Sequence, residues 1–189
     1  MYEKKWLHGM EVCNDDTYYP LAHQWCLDKN LTMLGNTDIH DPDLRKQSTP
    51  RDHRTMTLVF AKDRTPEAVK EALFARRTAV WYNNQLIGRQ EWLAPLAERA
   101  IRVAAPHLRS KDALWVQIEN LCDVDFELDR TGSVGPGKLS LPAATVSVVK
   151  IDTPTSGEPL ELAYTAANWL ITPGRGLPVT LRVAGEKKP

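Results

Sequence analysis

The chain has 189 residues, enough for one or two domains with cores of their own. Lys+Arg and Asp+Glu number 24 each, giving zero formal net charge and a pI near 7.0. That balance argues against nucleic acid or an anionic membrane as the main partner, because both select a basic excess. Cys13, Cys26 and Cys122 contain no C-x-x-C, so neither a disulfide framework nor a thiolate zinc site is expected, and the cysteines read as free thiols. No apolar stretch approaches the roughly 18 residues of a membrane span. Met1-Tyr2-Glu3-Lys4-Lys5-Trp6 has no apolar core behind it, so no signal peptide is expected; this favours the cytoplasm, with export left open for a longer parent protein.

In chain order, Met10-Glu11-Val12-Cys13 reads as a short strand ending in the turn signal Asn14-Asp15-Asp16. Tyr19-Pro20 opens a helix over about Leu21 to Asp28, with Lys29-Asn30 as its stop. Leu31–Leu34 is an apolar strand closed by Gly35. Residues 41–54 are polar and rich in charge and Pro, which predicts a surface loop over the strand ends. Thr55–Ala61 is strongly β-prone. Thr65-Pro66-Glu67 is a helix start, followed by Val69, Ala72, Leu73 and Arg76 at helical spacing. Ala79–Tyr82, Asn83-Asn84 and Gln85–Ile87 predict a hairpin. A further helix is expected from about Glu91 to Ala104. The repeating strand-then-helix order predicts α/β architecture for residues 1–105, with function at the strand ends.

The character changes near Pro106. Strands are expected near Leu114–Leu121, Val124–Leu128, Lys138–Leu141, Thr145–Ile151, Leu160–Tyr164 and Val179–Val183, separated by Gly and Pro. Short strands of this kind predict a small all-β sandwich over 110–189, with a structural or interaction role.

The chemistry concentrates after the Leu31–Leu34 strand. Along an extended backbone Asp38 and His40 point the same way while Ile39 points back. A carboxylate and an imidazole side by side at a strand end can chelate a divalent metal ion. Glu11 is a third candidate at a neighbouring strand, either in catalysis or simply as a solvated, ion-paired strand residue. His53 can move a proton near neutral pH and Arg54 can bind a phosphate bidentately; anchoring the loop is the alternative for both. Asn14 and Tyr18 are candidates to line a substrate pocket, although core packing explains the tyrosine as well. Glu11, Asp15, Asp16 and Asp38 also leave open a metal-independent hydrolase of another bond, such as a glycosidic one. A non-catalytic binding or assembly module is the third reading.

Several segments together resemble one family: Gly9-Met10-Glu11-Val12 with Asn14, Tyr18-Tyr19-Pro20, Leu31 to His40, His53-Arg54 running into Thr55 to Lys62, and Arg77-Thr78-Ala79-Val80-Trp81-Tyr82-Asn83-Asn84. The set looks like the C-terminal half of a PHP-domain (polymerase and histidinol phosphatase) metal-dependent phosphoesterase, in the two-domain branch that adds a small β-domain. The resemblance implies a partial β/α barrel followed by a β-sandwich, a divalent metal (Zn, Mn or Fe), and hydrolysis of a phosphate ester on a small molecule. Its D-x-H ligand pair maps onto Asp38 and His40. The family's opening H-x-H is not present, and the remaining histidines are His8, His23, His53 and His107. A truncated barrel exposes strand edges, so a homo-oligomer that covers them is expected.

Overall fold

The computed structural model describes residues 3–4, 6–40, 53–152 and 158–185. Most of the loop expected over 41–54 lies outside the described residues. The chain divides into two compact units, Met1–Leu93 with Trp169–Arg175, and Ala94–Asn168 with Gly176–Pro189.

In the first unit, β1 (Gly9–Asn14) pairs antiparallel with the short β2 (Thr17–Tyr18). Pro20 then starts α1 (Pro20–Asp28), its fixed φ suited to the first helical turn and Tyr19 extended before it. Asn30, at φ 50°, turns the chain out of α1 into β3 (Thr32–Asn36). β3 runs parallel to β1, from Gly9↔Thr32 to Asn14↔Asn36. The chain continues with β4 (Met56–Val59), α2 (Pro66–Phe74), β5 (Thr78–Tyr82) and β6 (Gln85–Gly88). The Thr65 hydroxyl caps α2 by accepting from the Ala68 amide at 3.3 Å. Asn83, at φ 49°, makes the tight β5–β6 turn. A buried cluster of Val12, Cys13, Cys26, Leu31, Met33, Val80 and Ile87 ties these elements together.

The expected partial β/α barrel is not there. Of the described residues 47% are strand and 18% helix, and no barrel closes. β1–α1–β3 is a parallel strand–helix–strand step, but the sheet does not go on: β4 and β5 are antiparallel despite the helix between them, and β5–β6 is a hairpin. The reason lies at the second edge of β3. In a parallel ladder alternate residues face each neighbour. Thr32 donates to His8 on the β1 side, so Met33 and Gly35 face outward. There they meet side chains instead of a strand. The Thr78 hydroxyl donates to the Met33 carbonyl at 2.8 Å, and the Thr57 hydroxyl serves both the N–H and the C=O of Gly35. With those groups satisfied, the edge needs no further parallel strand.

α3 (Gln90–Ala100) carries the chain from the first unit into the second. It is shorter than the helix expected to Ala104, because Ile101–Val103 forms β7. Over three residues an apolar–Arg–apolar pattern fits either period, and pairing with a distant strand decides it. The second unit continues with β8 (Leu108–Arg109), β9 (Ala113–Asn120), β10 (Phe126–Arg130), β11 (Lys138–Leu141), β12 (Val146–Asp152), β13 (Leu160–Thr172) and β14 (Arg175–Val183). One sheet has the order β12-β9-β7, with β8 also on β9; the other joins β11, β10, β13 and β14. Inward residues alternate along the strands, with Val116, Ile118, Phe126, Leu128, Ile151, Leu162 and Tyr164 fully buried or nearly so. Here the expected β-sandwich is what forms. Asn120, 1% exposed, pins it by donating to the Val124 and Leu141 carbonyls at 2.9 Å each and accepting from the Cys122 amide. β13 is far longer than the Leu160–Tyr164 strand expected. Its end belongs to the first unit, where Trp169 and Leu170 pair in parallel with Leu86 and Ile87 of β6.

Candidate metal-binding cavity

β3 delivers its last residues to the wall of a cavity of about 510 Å³. One side is built by residues 35–39 and the other by residues 55–57 at the start of β4. The chain can leave β3 this way because Gly35 passes against the β5 side chains: a Cβ there would stand 2.3 Å from Val80 Cγ1. Beyond Asn36, Asp38 adopts φ 47°, a left-handed conformation that Asp tolerates better than most residues. This bends the backbone so that Asp38 Oδ1 lies 3.4 Å from His40 Nε2, and both side chains are exposed to solvent. The carboxylate and the imidazole therefore stand together just beyond β3, with Asp38 on the cavity wall; the left-handed turn at Asp38, not the extended backbone expected from the sequence, brings them side by side. A divalent ion fits such a pair as one oxygen and one nitrogen donor. Among the described residues no group of three or more His, Cys, Asp and Glu side chains converges.

The other candidates have different surroundings. Glu11 on β1 accepts from the Asn14 amide nitrogen at 3.0 Å with one oxygen and from the Asn36 amide nitrogen with the other. These two donors, Asn14 first, hold the Glu11 carboxyl below its usual range. Asn14 thus joins Glu11 and Asn36, at the ends of β1 and β3.

His53 packs its ring on Trp81, with centroids 4.0 Å apart. Its Nδ1 lies 2.7 Å from the Arg54 carbonyl and its Nε2 3.0 Å from the Asn83 carbonyl, so it ties the entrance of β4 to the β5–β6 turn. Arg54 directly precedes the cavity residue Thr55. Tyr18 is placed elsewhere: its hydroxyl meets Nδ1 of the buried His23 at 2.9 Å. Burial, with neighbouring Cys13, pushes the Tyr18 hydroxyl up to about 12, and burial together with Arg89 pulls His23 down to about 4. Cys13, Cys26 and Cys122 are free thiols, as expected, and burial raises Cys13 to about 12.

Asn36, Thr55 and Thr57 are among the polar residues of this region that sequence reasoning does not single out. Asn36 carries a usable signal, since it stands two residues before Asp38 at the end of the same strand. The threonines carry none, because their partners are distant in sequence: Thr55 Oγ1 donates to the Asp15 carbonyl at 2.7 Å, and Thr57 bonds Gly35.

Comparison with known proteins gives two findings. Residues 101–182 match the model of the Ig-like domain family DUF5001, in keeping with the sandwich of the second unit. No curated protein matches. The chain as a whole is similar to the crystal structure of a two-domain protein from Bacteroides vulgatus described as containing a predicted PHP-like metal-dependent phosphoesterase, with 34% identity and a TM-score of 0.86. The match covers 96% of this chain and 54% of that one, so the chain spans about half the length of the protein it resembles.

Proposed function

We propose that this chain forms part of a metal-dependent hydrolase of phosphate esters, with Asp38 and His40 as ligands of a divalent ion. The observation that carries the reading is the side-by-side placement of His40 and Asp38, the latter on the wall of an open cavity. The similarity to a protein described as PHP-like supports it. A bound ion would supply Lewis acidity to the phosphoryl group and make water easier to deprotonate. The chain's own part is to hold the two ligands and to shape the cavity with Thr55, Met56 and Thr57; Arg54, next to Thr55 in sequence, is the proposed anion partner.

Elemental analysis on a size-exclusion peak, with His40→Ala alongside, tests the reading. Stoichiometric Zn, Mn or Fe that is lost in His40→Ala, together with turnover of a phosphomonoester, is the expected result. Equal metal in both proteins, or turnover that survives complete chelation, would retire it.

Self-association belongs to the same proposal. Leu21 is 72% exposed and Trp25 48%, one turn apart on α1, and this is the face a second copy would cover. The second edge of β3 is already met by Thr57 and Thr78. Sedimentation over a range of concentrations decides: a strict monomer ends this part of the proposal.

A further inference from the structure

The sandwich of the second unit has an open strand edge. β7 is the last strand of its sheet and pairs with β9 alone. In an antiparallel ladder, alternate residues turn their backbone groups toward the partner and away from it. The Ala100 carbonyl accepts from the Leu121 amide at 2.7 Å, and the Ala104 amide donates to the Gln117 carbonyl at 2.9 Å. Those bonds fix the parity. Ala100, Arg102 and Ala104 face β9, so the N–H and C=O groups of Ile101 and Val103 point away from it. Among the described residues no strand meets them there.

Ile101 and Val103 line a groove of about 420 Å³, within the size range of ordinary ligand sites. α3 contributes Ala94, Ala97 and Glu98 to its lining, and β14 contributes residues 178–182. The other outer strands of the sandwich carry features that discourage a further strand. β12 exposes the Lys150–Asp152 ion pair, β11 exposes Lys138, and β14 contains Pro178, which has no N–H to give. On β7 the one charged residue, Arg102, is paired across the ladder with Glu119. Its edge is therefore open to strand addition, in which an extended peptide is held by main-chain hydrogen bonds. Charge then selects among peptides. Arg182 is paired with Glu161 at 3.0 Å, whereas Glu98 is exposed and has no ion pair among the described residues. The groove presents one uncompensated carboxylate.

We propose that this groove takes an extended, basic segment of another polypeptide, which pairs with β7 at Ile101 and Val103 and sets a lysine or arginine against Glu98. The proposal is independent of the Asp38–His40 reading.

The probe is a short synthetic peptide of alternating valine and threonine with a central lysine, blocked at both ends and labelled with fluorescein. Its binding to the full chain is followed by fluorescence anisotropy and by amide NMR. Saturable binding is expected, with the largest shifts at Ile101 and Val103. The same peptide N-methylated at every residue keeps its side chains but has no N–H to donate, and it should not bind. V103P removes the Val103 N–H, and because that group points away from β9 the ladder keeps its bonds. Peptide affinity should fall about fivefold to tenfold, the scale of one main-chain hydrogen bond. E98Q removes the charge at constant size and should weaken binding about two- to fivefold at low salt.

Failure of the unmethylated peptide to bind overturns the proposal. Equal binding of the methylated peptide does so too, as does an affinity untouched by both V103P and E98Q. Either result means that the peptide adheres through its side chains and not as an added strand. Should V103P not fold, E98Q and the methylated peptide carry the comparison.

Discussion

Thr57 and Gly35 exchange two hydrogen bonds through a single hydroxyl: the Gly35 amide donates to Thr57 Oγ1 at 2.8 Å, and that hydroxyl donates back to the Gly35 carbonyl at 2.9 Å. A side chain thus does for β3 what a neighbouring strand does elsewhere in a sheet. Thr57→Val keeps the shape and removes both bonds, leaving the N–H and C=O of a buried residue without that partner. The expected loss is about 1–3 kcal/mol, read from urea unfolding. An unchanged midpoint would show that water replaces the hydroxyl at no cost.

Gly35 is a position where a methyl group does not fit. Added carbon would stand 2.3 Å from Cγ1 of Val80, held in the β4–β5 ladder, and 3.1 Å from Thr55 Cγ2. Gly35→Ala should cost about 1–3 kcal/mol as overpacking. Gly137, where none of the described residues comes within 4 Å of such a carbon, is the control, and Gly137→Ala should shift the unfolding midpoint little.

His23 gives the fold an acid-sensitive core. Its ring is fully buried, with Nδ1 on the Tyr18 hydroxyl and, among the described residues, no hydrogen-bond partner for Nε2. Burial, then Arg89, lowers it from an ordinary 6.5 to about 4. The unfolded chain therefore takes up this proton near pH 6.5, while the folded chain resists it until about pH 4. Stability should be flat above pH 6.5, decline on the way down to pH 4, and level off below, by on the order of 3 kcal/mol in total. In His23→Leu the slope between those values should shrink, as pH-dependent thermal melts would show.

What is legible in the sequence, and what is not, follows from distance along the chain. The Thr65-Pro66 helix start, the Asn83 turn and the adjacency of Asp38 and His40 all depend on residues a few positions apart, and each appears in the structure. The alternation of Val179 to Val183 likewise belongs to a real strand, β14. Pairing direction is different. Nothing local in Met56–Val59 or Thr78–Tyr82 announces that they run antiparallel, so strand-then-helix order points to a barrel that does not exist. Contacts made by polar side chains over long separations are equally hidden. Asn36 reaches Glu11 across 25 residues, and Thr78 reaches Met33 across 45. The Asp38–His40 pair is therefore legible in the sequence, and the contact between Glu11 and Asn36 is not.

Substitutions at Asp38 separate its backbone role from its proposed role as a metal ligand. Its φ of 47° lies in the left-handed region, where Asp is better tolerated than Ala and Gly is unstrained. Asp38→Ala should cost about 1 kcal/mol because the backbone keeps its turn with a less tolerant residue. Asp38→Gly relieves that strain, offset in part by the freer unfolded chain, so its stability should match or exceed the wild type. Both substitutions remove the carboxylate next to His40 and should abolish metal binding equally. Thermal melts and Mn2+ titration of the two variants check this together: a stable Asp38→Gly protein without metal is the expected outcome, whereas retained metal would take Asp38 out of the ligand set.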